Sequence, residues 1–139
     1  MSRRSLLESV KNSDNLSAKK ISKEFVHDLE SIVDSENSTL LHLAANNNNL
    51  ELSKHFLNAY NELIEESPET FTNATKKKWL TAKDNEGFSC LHYAVFRSNY
   101  DLAILLEDEG ADIYQINNQG LSVLHIAAQG DSPLLMVSF

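Results

Sequence analysis

The residues with the strongest claim to chemistry are three histidines and one cysteine. His42, His92 and His125 sit at the same place in three similar phrases, spaced 50 and then 33 residues apart. A shared metal would need all three within about 2 Å of one ion. Stacked helical units instead hold equivalent side chains about 8–10 Å apart, one helix-packing distance. The ladder therefore reads as structural. His27 and His55 have no Cys or acidic partner at ligand spacing. Cys90 is the one cysteine and has no basic flank to depress its thiol, so it reads as inert filler. Four glycines without a cluster exclude a phosphate-cradling loop. A Gly-x-Ser-x-Gly elbow is also absent. Glu65-Glu66 and Glu107-Asp108-Glu109 read as solvated helix ends. The expectation is a chain with no catalytic residue, metal or cofactor.

Lys76-Lys77-Lys78-Trp79 could in principle touch phosphate or an anionic surface. Three lysines fall short of a lipid-binding cluster, and the chain carries a net charge of −8, which opposes a nucleic-acid grip. The plainer reading is a solvated helix face with Trp79 as an anchor.

What must position these residues is a repeat. Ser89-Cys90-Leu91-His92-Tyr93-Ala94-Val95 returns as Ser122-Val123-Leu124-His125-Ile126-Ala127-Ala128, and a copy lies upstream as Thr39-Leu40-Leu41-His42-Leu43-Ala44-Ala45. Thr39, Ser89 and Ser122 stand where a hydroxyl caps a helix. The small Ala pair lets neighbouring helices approach closely. Leu105-Leu106 and Gly110-Ala111-Asp112-Ile113 complete the unit. These phrases resemble the Thr-Pro-Leu-His-x-Ala-Ala signature and Gly-Ala-Asp exit of the ankyrin repeat, and 33 residues is that family's period. The resemblance implies an all-α solenoid of stacked helix-turn-helix units with short hairpin fingers. It also implies that the histidine ring braces backbone near the cap and in the next repeat. Asn48, Ser98 and Asp131 fall where the consensus has a turn glycine, so these turns are expected to be somewhat strained or loosened.

In chain order, residues 1–36 read as degenerate N-terminal capping helices. One is short; a longer one is capped by Ser17 and carries Ile21, Phe25, Val26, Leu29, Ile32 and Val33. Residues 37–57 form the first clear repeat. Residues 58–82 are a helical insertion, in which Ser67-Pro68 is expected to restart a helix. The second repeat spans 83–118 and the third, truncated, 119–139. Leu134, Leu135, Met136, Val137 and Phe139 would leave an uncapped apolar end. That suggests a covering partner or a longer parent chain.

Bulk composition fits one folded unit, with 42% hydrophobic and 23% charged residues. The single cysteine fits a reducing compartment. No run approaches the about 20 apolar residues of a membrane span. The expected location is cytoplasmic, or the cytosolic face of a membrane protein.

The resemblance implies protein or peptide binding on the concave side, through inner-helix positions and finger tips. Carried across, it selects Asn46, Asn47, Phe96, Arg97 and Gln129 on the inner helices, and Lys83, Asn85, Glu86, Tyr114, Gln115, Asn117 and Asn118 on the fingers. Phe96, Arg97 and Tyr114 are the preferred anchors, because aromatic and Arg side chains dominate interface energetics. The acidic balance favours a basic or mixed-charge peptide. A second reading rests on residues 124–133, which are similar to a phrase in ankyrin segments preceding an Asp-His-His-Cys palmitoyltransferase domain. It makes the chain the regulatory or substrate-docking part of a membrane S-acyltransferase, or of an ion channel.

Overall fold

A computed structural model describes residues 2–129. The expectations for Asp131 and for the apolar stretch ending at Phe139 lie outside the described residues. Among those described there are eight α-helices and no extended strand: α1 (Arg3–Lys11), α2 (Asn15–Ser22), α3 (Leu40–Asn46), α4 (Leu50–Glu66), α5 (Asn73–Leu80), α6 (Cys90–Phe96), α7 (Tyr100–Glu109) and α8 (Val123–Gln129). A 3-10 segment, Lys23–Ser31, follows α2.

Side-chain caps set where the helices begin. Ser2, Asp14, Thr39, Asn49, Thr72, Ser89 and Asn99 each accept a hydrogen bond from the backbone N–H three residues on. Such a bond relieves one of the orphan donors of the first turn, worth about 1 kcal/mol. Two expected starts are corrected. Ser17 is no cap; its own N–H is capped by Asp14. The long helix expected from Ser17 ends at Ser22, and Phe25 breaks helical geometry at φ −119°, ψ 22°. Ser67-Pro68 likewise starts no helix: Ser67 closes α4, and Thr72 caps α5.

The helices form two layers. The short inner helices α1, α3, α6 and α8 stack side by side, while α2, α4 and α7 form the outer layer behind them. Inner and outer partners are joined by one turn used three times. Ser13, Asn48 and Ser98 sit at φ 55°, 59° and 55°. The next residue's N–H reaches back to the carbonyl of Ser9, Ala44 or Ala94. None of the three is glycine; at Ser13 and Ser98 the left-handed conformation costs about 1–2 kcal/mol, while the short polar side chain of Asn48 tolerates it better. The turns are strained, as expected, but none is loosened. Ser13 matches the other two, so α1 and α2 have full repeat geometry without the signature phrase.

The core runs the length of the stack between the layers. Leu6, Leu40, Leu41, Ala44, Leu52, Phe56, Leu91, Ala94, Leu102, Leu106 and Val123 are fully buried. Burying one such Leu or Phe contributes about 1.5–3 kcal/mol.

The chain between the first two phrases packs onto this stack. Tyr60, Leu63, Phe71, Trp79 and Leu80 are buried. The Tyr60 ring stands 5.4 Å from that of Trp79 and 5.7 Å from Phe71, and its hydroxyl donates to Thr75 Oγ1 at 2.7 Å. The solvated face expected for the lysine run holds for Lys77 and Lys78 but not for Lys76. Lys76 is buried, donating to Glu109 Oε2 at 2.7 Å and to Asn61 Oδ1 at 3.0 Å. Glu109, read as a solvated helix end, is the other half of this pair.

Candidate functional site

The connections that precede α3, α6 and α8 fold into hairpin fingers. Asp34, Asp84 and Asn117 hold them. In each, one side-chain oxygen accepts the N–H groups two and four residues ahead. The turn residue three places on has positive φ in every finger: Asn37 at 63°, Gly87 at 81° and Gly120 at 79°. Successive fingers are tied together. Asn85 N–H donates to the Glu36 carbonyl at 3.0 Å, and Asn118 N–H to the Glu86 carbonyl at 3.1 Å.

A second tie runs through the histidines. In α3 and α6 the ring Nδ1 accepts the N–H of the cap residue, Thr39 or Ser89, at 3.1 Å. That leaves Nε2 to donate to the next unit, to Phe88 O at 2.7 Å from His42 and to Leu121 O at 3.1 Å from His92. His125 repeats the cap contact, with Ser122 N–H at 3.0 Å. Burial holds both His42 and His92 below the ordinary histidine pKa, so they stand neutral and bracing. Among the described residues no group of three His, Cys, Asp or Glu is placed to hold a metal. Cys90 is fully buried, and burial pushes its thiol up to about 12, far from a reactive thiolate.

Fingers and inner helices together line one face. A groove of about 260 Å³ lies between the first finger and α3, lined among others by Lys11, Asp34, Glu36, Asn46, Asn47 and Tyr93. Beside it is an apolar recess of about 100 Å³ between Asn46, Phe88, His92, Tyr93 and Phe96. Tyr93 and Asn46 line both. The Tyr93 hydroxyl donates to Asp84 Oδ2. Burial, then the Asp84 hydrogen bond and the charges of Asp84, Glu36 and Glu86, raise the Tyr93 pKa. Burial would raise Asp34 too, but the Ser38 and Glu36 N–H groups and Lys11 outweigh it and hold Asp34 low.

The sequence-selected residues divide on this face. Phe96 is 66% exposed and Tyr114 75% exposed. The Arg97 guanidinium lies 5.6 Å from the Phe96 ring centre and donates to Asn46 Oδ1 through Nε at 3.2 Å and Nη2 at 3.0 Å. Asn46, Phe96 and Arg97 are thus one cluster. Lys83, Asn85 and Glu86 are exposed on the second finger, and Asn118 on the third. Asn118 also ties the fingers, donating its amide to Asn85 O at 2.9 Å. Three of the selected residues serve the scaffold. Asn47 donates to the Val10 and Lys11 carbonyls at 2.8 and 2.9 Å, closing the end of α1. Asn117 is 6% exposed and holds its own finger. Gln115 donates to Thr81 O at 2.7 Å. Gln129 closes α8, and its side chain is outside the described part.

Two residues of the face went unselected, Tyr93 and Glu36. The signal was present. Tyr93 fills the variable place between His92 and Ala94, and Glu36 stands two residues after Asp34, as Glu86 does after Asp84.

A family model described as "Ankyrin repeats (3 copies)" matches residues 6–117. The Notch-regulated ankyrin repeat-containing protein A of Danio rerio is 49% identical over 45 residues. That stretch is 32% of this chain and 40% of that protein, so the chain spans less than half the length of the curated relative it matches. Among solved structures, one chain in the crystal structure of the yeast ribosomal protein Rps3 in complex with its chaperone Yar1 superposes with a TM-score of 0.84. The superposition covers 99% of this chain and 89% of that one, at 23% identity.

Proposed function

This chain belongs to the ankyrin-repeat family, and on that footing we propose that it is a protein-interaction module whose binding face is the surface of fingers and inner helices. The observation that carries the proposal is the Asn46–Phe96–Arg97 cluster. A large aromatic ring is left two-thirds exposed beside a groove while a stacked, hydrogen-bonded guanidinium holds it in place. Exposed aromatic and Arg side chains that are already ordered are the type that anchors interfaces, since little rotamer freedom remains to be lost on binding. The net charge of −8 supports a basic or mixed-charge protein partner. The structural likeness to a chain within a chaperone–ribosomal protein complex is in keeping with such a role. The reading assigns no catalytic step to the chain, and places it in a reducing, cytosol-like setting, which the buried unpaired Cys90 suits.

Replacing Phe96 and Arg97 together by Ala tests the reading. Partner proteins that co-purify with the wild type are expected to be lost while far-UV circular dichroism is unchanged. Unchanged co-purification contradicts it.

A further inference from the structure

Charge is sorted along the binding face. At the finger end stand the carboxylates of Glu36 and Glu86, both exposed, with Asp84 beneath them, and all three act on the Tyr93 hydroxyl. Asp34 lies in the same groove, but its charge is matched by Lys11 Nζ at 3.2 Å. Lys83, on the second finger, is the other cation near this end. In the middle lies the apolar recess of Phe88, Tyr93 and Phe96. At the far end of α6 stands Arg97, its guanidinium spread over Phe96 and bonded to Asn46.

A groove with uncompensated carboxylates at one end, aromatic walls in the middle and a fixed cation at the other end selects an occupant by sign. Resting on the interaction-module reading, we propose that the face takes an extended peptide segment of a partner protein. An arginine or lysine of the segment docks against Glu36 and Glu86 over Tyr93, and a neighbouring apolar side chain fills the Phe88–Tyr93–Phe96 recess. A basic side chain gains attraction at the finger end and ring contact with Tyr93 and Phe88. Arg97 repels a second basic residue at the far end and so fixes the direction of the segment. The recess of about 100 Å³ suits part of a Leu, Met or Val side chain and is too small for a whole aromatic ring system.

The test is an array of fluorescein-labelled decapeptides in an Ala/Ser background. The set carries Arg–Leu, Lys–Leu, Glu–Leu and Arg–Ser pairs at each spacing from adjacent to four apart, read by fluorescence anisotropy against the full chain. Arg–Leu and Lys–Leu peptides should bind, and binding should weaken steeply with added salt. The Glu36→Lys/Glu86→Lys variant is expected to lower the affinity at least about tenfold, since both carboxylates face the docked cation. Phe96→Ala should weaken Arg–Leu peptides and leave the residual binding of Arg–Ser peptides unchanged. Circular dichroism checks that both variants fold; the replaced side chains are exposed. Equal binding of Glu–Leu peptides, no binding by any basic–apolar peptide, or affinity unaffected by Glu36→Lys/Glu86→Lys would each overturn the assignment. So would concentration-dependent self-association abolished by those same changes, since a second copy of the chain would then be the occupant. A partner lost with Phe96→Ala/Arg97→Ala but retained by Glu36→Lys/Glu86→Lys would refute this inference and leave the binding face standing.

Discussion

The Nε2 of His42 lies 2.7 Å from the main-chain carbonyl of Phe88, 46 residues further along the chain. Its other nitrogen is fixed by the Thr39 N–H, so one ring closes a helix cap and clamps the following unit. His92 does the same from Ser89 to Leu121. Removing such a ring orphans a buried donor and a buried acceptor. His42→Ala should therefore destabilise the chain by about 2–3 kcal/mol, more than an isolated exposed hydrogen bond would explain. Urea denaturation checks it, and a loss below about 0.5 kcal/mol would remove the clamp as a stabilising element.

The same rings set a pH dependence. Burial depresses the folded-state pKa of His42 and His92. Above the ordinary value of 6.5 both states are neutral and stability is full. As pH falls below it, the unfolded chain takes up protons that the folded chain refuses, so stability declines down to the depressed folded values. Asp34, held low, adds its own loss only below its ordinary value of 3.8. Melting temperature followed between those two values should fall with acidification, and the fall should be reduced in a His42→Gln variant.

Two finger glycines make a matched pair for testing the ladder. Both have positive φ, 81° at Gly87 and 79° at Gly120. A Cβ on Gly87 would meet Asn118 Oδ1 at 2.5 Å and Asn118 N at 2.6 Å, whereas one on Gly120 meets nothing within 4 Å. Gly120→Ala should cost only the left-handed strain, about 1–2 kcal/mol. Gly87→Ala should cost clearly more and break the Asn118–Glu86 contact, visible as faster amide exchange at Asn118.

Lys76 and Glu109 join α5 to α7 with side chains only 10% and 21% exposed. Breaking a pair this buried strands one charge. Lys76→Ala should lower stability by about 2–3 kcal/mol, and the Lys76→Ala/Glu109→Gln double variant, which removes the stranded charge without restoring the stem, should recover much of it. No recovery would mean that packing of the Lys stem, not charge, accounts for the loss.

What could be read in the sequence and what could not divide along physical lines. The His-bearing phrases carry their own capping chemistry, so Thr39, Ser89 and their histidines were legible residue by residue. Ser13 was missed because its helices lack that phrase, and a serine at φ 55° has no sequence mark until its partner turns at Asn48 and Ser98 are seen. Ser17 and Ser67 were misplaced as caps because Ser next to a helical pattern fits either a cap or a terminus. Only the competing acceptors, Asp14 and Thr72, decide it. Lys76 was read as solvated because its partner Glu109 lies 33 residues away, in another helix. On the proposed binding face, exposure at Phe96 and Tyr114 follows from repeat position, and the hold of Asn117 on its own finger is local, at the spacing of Asp34 and Asp84. The scaffold duty of Asn47 comes instead from tertiary contacts with the end of α1 that no spacing encodes.

The central claim, that the face of fingers and inner helices is where a partner sits, is tested most directly by placing a photo-crosslinking amino acid at single positions. Position 96 lies on that face, position 114 is an exposed tyrosine just ahead of the third finger, and position 54 is an exposed lysine of the outer helix α4. Irradiation in cells that express the protein should give a discrete covalent adduct from positions 96 and 114 and none from position 54. Adducts from position 54 alone would place the partner on the outer layer and contradict the account.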